Sequence, residues 1–153
     1  MINKRDLIVS AITVGLTLGV VSVAQTRKPL MRSSVFDWSG IAVKETKYGA
    51  RRDVFESPTA TLDQLECHVT TLNVGEAAHP PHTHSEEAVV VVKEGTIEVT
   101  QNGETKRVGP GSLIFEASNE PHGMRNAGQT PATYYVIKWF SPGALKAKTA
   151  ASE

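Results

Sequence analysis

The sequence predicts an all-β domain, a sandwich or barrel, on three observations. Apolar segments are short, turn residues rich in Gly and Pro separate them, and from about Val35 onward no long run carries apolar residues at helical spacing. With 153 residues, 40% hydrophobic and 21% charged, the chain is sized for one compact domain.

The elements follow in order. Cys67 to Val74 alternates and is rich in β-branched residues, which suit a half-buried pleated surface. Ala88 to Val92 is a continuous apolar strand whose two faces are alike, so its inward parity cannot be read. Thr96 to Thr100 alternates, with Ile97 and Val99 on one face. Asn102-Gly103 tolerates positive φ at both positions and closes a tight hairpin, with Glu104 to Val108 as the return strand. After the turn Gly109-Pro110-Gly111 come a strand over Ser112 to Ala117, a loop through Glu120-Pro121, a strand around His122 to Arg125 and a last strand from Thr133 to Phe140. Gly40 to Asp63 has no clear pattern and is expected to supply edge strands or a dimer-forming arm. Residues 25–140 are read as the single domain and Ser141 to Glu153, which has no aromatic residue, as a loose tail.

Residues 1–24 read as an export address. Lys4 and Arg5 precede the uncharged run Leu7 to Ala24, which ends Ser22-Val23-Ala24 with small residues where a signal peptidase cuts. The expected location is therefore periplasmic or extracellular. An uncleaved membrane anchor is the alternative, at the lower length limit for a hydrocarbon core of roughly 30 Å, and a buried soluble helix is a third. Asn3 to Ile8 also resembles a twin-arginine signal with Lys4 in place of the first arginine.

Charge and cysteine content exclude several functions. Sixteen Lys and Arg balance sixteen Asp and Glu, and loss of residues 1–24 leaves 14 basic against 15 acidic. There is no basic field to hold nucleic acid. The lone Cys67 can form no internal disulfide and no thiolate zinc site, so a metal would need His and carboxylate ligands. Cys67 reads as buried packing.

Four of the five histidines stand at 79, 82, 84 and 122, three of them in the string HPPHTH. In an extended backbone residues two apart point to one side, so His82 and His84 can present two imidazoles to one point. Pro80 and Pro81 stiffen the approach, which favours a preformed site. With Glu86 and Glu87 adjacent, the set suits one divalent transition metal: Fe, Mn, Zn, Ni or Cu. His122, 38 residues after His84 and beyond a turn and a strand, can be returned to the same point by hairpins.

The span Gly75 to Asn126 resembles the cupin superfamily. Its first motif is a glycine, about five residues, His-x-His, three or four residues, a glutamate, six residues and a glycine. Gly75, His82, Thr83, His84 and Gly95 stand at those places, with six residues between Gly75 and His82. The second motif matches at Gly111, Pro121, His122 and Asn126, with Ala117 for the usual proline and Asn119 for the usual glycine. The resemblance implies a double-stranded β-helix of jelly-roll type and metal ligation by His82, His84 and His122. It also implies a glutamate at position 88, where this sequence has Ala88. Glu87 lies one residue early and would turn inward only through a bulge or shortened loop, so Glu87 is a candidate ligand, with a solvated acidic edge as its plain alternative. A site of three histidines completed by water stays open.

Other residues carry plainer expectations. His79 is read as supporting or exposed, His68 as a strand residue without chemistry, and Tyr134, Tyr135, Trp139 and Phe140 as core or interface aromatics of which one could line a pocket. Arg125 is read as structural, with an anionic substrate as the alternative, and Asn126 as a turn residue.

No nucleophile elbow, phosphate loop or recognisable carboxylate pair is present, so chemistry would rest on the metal. The leading expectation is an exported single-domain cupin with one metal, acting on a small oxygen-rich organic molecule, with oxygenase chemistry ahead of isomerase or hydrolase. A non-enzymatic metal or metabolite binder is the rival, and a structural cupin without metal the third. The two-faced apolar strand Ala88 to Val92 adds the expectation of a homodimer.

Overall fold

In the computed structural model the described residues are 28–144 and 148. The export-signal reading of residues 1–24 lies outside them. The fold is all-β, with nine strands in two antiparallel sheets. β1 (Lys44–Thr46), β2 (Gly49–Ser57), β3 (Gln64–Leu72), β4 (Glu87–Glu94), β7 (Leu113–Glu116) and β9 (Ala132–Phe140) form a six-stranded sheet in the order β1-β2-β3-β9-β4-β7. The second sheet, ordered β6-β5-β8, holds β5 (Ile97–Gln101), β6 (Glu104–Val108) and β8 (His122–Asn126). Together they make the jelly-roll barrel.

The core lies between the sheets and contains Leu72, Val90, Val92, Ile97, Val99, Ile114, Tyr134 and Val136. Full burial of each such aliphatic side chain contributes about 1.5–3 kcal/mol. Along β4 the alternation resolves the parity that the sequence hides: Ala88, Val90 and Val92 are buried, while Val89 and Val91 face outward. β7 pairs with β4 so that Leu113 (72% exposed) lies opposite Val91 and Phe115 (53% exposed) opposite Val89. The result is an apolar outward patch at the sheet edge.

Asn102 and Gly103 have φ of 50° and 77°, the left-handed pair that a two-residue hairpin between β5 and β6 requires. β3 begins at Gln64, three residues before the expected start, because its ladder with β9 runs unbroken from Gln64–Phe140 to Leu72–Ala132. The unpatterned segment supplies β1 as an edge strand and, against expectation, β2 as an inner strand paired on both sides. Its periodicity is broken by a register shift between Asp53 and Phe55. Before it, Trp38 is held between the Arg52 guanidinium and the Lys93 ammonium, 4.4 and 4.3 Å from the ring centre.

Candidate metal centre

The strand-loop pattern of HPPHTH brings two histidines to the mouth of the barrel, and β8 brings the third. His82 and His122 form an isolated antiparallel bridge, each N–H donating to the other's carbonyl at 3.0 Å. His84, two residues on, falls on the same side. One ligand atom from each of His82, His84 and His122 lies within 4.8 Å of the others. The structure thus brings these three together.

The ring nitrogens are arranged for ligation. His84 Nδ1 lies 2.7 Å from the Glu86 carbonyl and His122 Nδ1 2.8 Å from the Glu120 carbonyl. A carbonyl only accepts, so Nδ1 is the donor in both rings, which leaves Nε2 as the atom directed to a metal. His122 Nε2 and His82 Nδ1 are buried without a hydrogen-bond partner. Burial, and then the neighbouring imidazoles of His79, His122 and His84, push the His82 pKa down to about 4 against a smaller opposing pull from Glu86. Its ring is neutral near pH 7. These residues fit a transition metal.

The carboxylates stand elsewhere than the sequence suggests. Glu87 is only half-buried and pairs with Trp139 at the start of β4, on the opposite face from Ala88, and it is absent from the histidine cluster. β4 has no bulge at that end to rotate it inward; the register shift lies between Val92 and Glu94. Glu86 is buried but engaged by Lys148 at 3.0 Å and Lys138 at 3.6 Å. Burial raises its pKa, and the two ammonium groups outweigh that and lower it. The carboxylate beside the histidines is Glu116, whose Oε2 lies 3.6 Å from His84 Nε2 and 3.7 Å from His122 Nε2. Ile114 and Glu116 share an inward parity on β7, but apolar Leu113 and Phe115 beside them hide it in the sequence.

A cavity of about 330 Å³ opens from the cluster into the barrel, walled by Arg51, His68, Thr70, Glu116, Tyr134 and Lys138 among others. His68 is therefore a cavity residue as well as a strand residue. Glu66 organises the far wall, accepting from Arg51 at 3.2 Å, Lys138 at 3.1 Å and His68 at 2.9 Å. Burial raises the Glu66 pKa, yet the bonds from His68 and Lys138 hold it down to about 2. Tyr134 is buried in the same wall, and burial pushes its phenol pKa up.

The remaining residues sit apart from the cluster or support it. His79 is exposed, with its ring 4.0 Å from that of His82. Arg125 lies on the outer face, paired with Glu98 at 2.7 Å. Asn126 is fully buried, and its Nδ2 reaches the carbonyls of Leu72, Asn73 and Thr130 while Oδ1 accepts from Gly128 N–H. It caps the turn after β8 and ties it to the end of β3. Cys67 is buried, and burial, then the Glu66 charge, raises its thiol pKa. Lys148, in the segment expected to be loose, is seated on Glu86 and over the Phe140 ring at 5.0 Å.

The cupin domain family model matches residues 68–138, from β3 to β9. The fold is also that of the RmlC-like cupin from Shewanella frigidimarina, with 18% identity over 74% of this chain and 96% of that chain and a TM-score of 0.59. Residues 68–138 match a cupin domain, and the fold is that of cupins. The chain is also similar to KdgF from Halomonas sp., at 20% identity over 74% of this chain and 99% of that one, TM-score 0.62. The polyketide cyclase RemF from Streptomyces resistomycificus shares 22% identity over 73% of this chain and 82% of that one, TM-score 0.58. At such identities the likeness is one of fold. No curated protein sequence matches the chain.

Proposed function

We propose that this cupin holds one divalent transition metal through His82, His84 and His122 and acts on a small oxygen-rich organic molecule in the adjoining cavity. The observation that carries the reading is the state of the imidazole nitrogens. Two rings direct Nδ1–H to backbone carbonyls, and buried nitrogens of His82 and His122 have no partner. A buried acceptor without a donor is costly, and a cation is the partner such a cluster lacks.

A metal bound there would polarise a substrate oxygen or, if redox active, bring a chelating substrate and dioxygen together. The chain's own residues do the rest. Arg51, His68 and Lys138 present donors on the cavity wall to substrate oxygens, and Tyr134 with Val136 keeps the inner end dry. A mixed imidazole site with positions open to a chelating substrate and dioxygen favours oxygenation over isomerisation or hydrolysis. Export through residues 1–24 belongs to the same proposal, supported by the Lys4-Arg5 flank and the Ser22-Val23-Ala24 end. So does a homodimer, which would cover the patch of Val89, Val91, Leu113 and Phe115.

Oxygen uptake by the metal-loaded full chain with small catechols, keto acids and sugar acids tests the reading. Substrate-dependent uptake that disappears in His122→Ala is expected. Metal binding with no turnover of any of these would favour a non-enzymatic metal or metabolite binder instead.

A further inference from the structure

We infer that Glu116 is a fourth protein ligand of this metal, supplied from β7 in place of the carboxylate that the cupin pattern puts on β4. The inference rests on the metal reading above. Its basis is a register relationship: Ala88 and Glu116 are directly paired across the β4–β7 ladder. Paired residues of an antiparallel ladder project to the same face with Cβ atoms about 4.5–5.5 Å apart. Position 88 faces inward and ends at a methyl group, while Glu116 faces inward beside it and extends three bonds further. The carboxylate is thus kept on the same face of the same sheet and moved by one strand.

The distances agree with shared ligation. Glu116 Oε2 stands 3.6 and 3.7 Å from the Nε2 atoms of His84 and His122, too far for hydrogen bonds. Two atoms each about 2.0–2.2 Å from one ion lie roughly 3.0–3.5 Å apart, from an octahedral to a tetrahedral angle. Both Nε2 atoms are the ring atoms turned away from the backbone carbonyls and toward the carboxylate. Glu116 is only 5% exposed, and its Oε2 lies between the two rings rather than toward solvent. A buried carboxylate converging with the outer nitrogens of two imidazoles is the mixed donor set that a divalent transition metal takes. Glu87, the ligand expected from sequence, is on the other face.

The test titrates Co²⁺ into the metal-free full chain and its variants, reading affinity by chelator competition and coordination by the visible ligand-field spectrum. Far-UV circular dichroism checks that each variant is folded. Glu116→Gln is expected to weaken Co²⁺ binding about 10-fold or more and to change the spectrum, with Glu87→Gln equal to the native chain. The double variant Ala88→Glu/Glu116→Gln, which returns the carboxylate to β4, is expected to recover affinity; Glu116→Asp, which keeps the carboxylate and shortens its reach, covers the case in which Glu116→Gln does not fold and is expected to weaken Co²⁺ binding and shift the spectrum. Native affinity and spectrum in Glu116→Gln, with binding lost in His82→Ala, would overturn the role of Glu116 and leave the three-histidine site standing. No Co²⁺ binding by the native chain would overturn both.

Discussion

His82 and His122 exchange both of their backbone hydrogen bonds, each at 3.0 Å, although 39 residues separate them from one to the next. This clasp joins the HPPHTH loop to β8 and holds two imidazoles at a ring separation of 4.8 Å without any help from a ligand. The cost of ordering the two rings is therefore met during folding, before any ligand binds.

The clasp leaves little room next to it. A Cβ on Gly123 would stand 3.0 Å from Pro81 Cγ and 3.2 Å from its Cβ. Gly123→Ala should push Pro81, and with it His82, by a few tenths of an ångström. The expected result is a Co²⁺ affinity lowered by about tenfold with the circular dichroism of the native fold retained.

Asn126 should be among the most costly polar substitutions outside the site. Asn126→Ala strips partners from the carbonyls of Leu72, Asn73 and Thr130 and from Gly128 N–H at a fully buried position. Urea denaturation should show a loss of about 2–4 kcal/mol, since each unsatisfied buried group costs about 1–3 kcal/mol and the loops relax in part.

Two glycines of similar φ separate backbone strain from close packing. Gly95 (φ 80°) would place a Cβ 2.6 Å from both Cα and Cβ of Ala132, whereas Gly103 (φ 77°) has nothing within 4 Å. Gly103→Ala should cost about 1 kcal/mol, the left-handed penalty alone. Gly95→Ala should cost at least about twice that, because the β4–β9 layer must also move. Equal losses in thermal unfolding would contradict the contact argument.

Glu66 gives a pH dependence with a definite sign. Its pKa of about 2 in the folded chain is below the ordinary value of 4.5, so its contribution is complete above about pH 4.5 and is lost as pH falls toward 2. The stability gap between the native chain and Glu66→Gln should narrow over that window. Urea unfolding at a series of pH values reads it directly, and a gap that stays constant would contradict the Arg51–Glu66–Lys138 account of the cavity wall.

The strands were legible wherever one face is polar or a turn is chemically specific. Ile97 and Val99 set the parity of β5, and Asn102-Gly103 marks its hairpin, because each signal is local. Parity is hidden on β4 and β7, where apolar residues occupy both faces, so the sequence points to Glu87 while the carboxylate beside the histidines is Glu116. Residue type alone cannot say that the partner of Ala88 across a ladder is Glu116, since that pairing is made by the whole topology. The same holds for the inner wall: Arg51 comes from a strand broken by a register shift, and Lys138 and His68 meet only through Glu66.

The central claim is that three imidazoles from two separated stretches hold one ion. Elemental analysis of the full chain, purified from its own compartment beside His82→Ala and His122→Ala, measures it most directly. The account expects close to one transition-metal ion per native chain and almost none in either variant, with the β fold of all three intact. A folded native chain without metal, or variants that retain as much metal as the native chain, would contradict it.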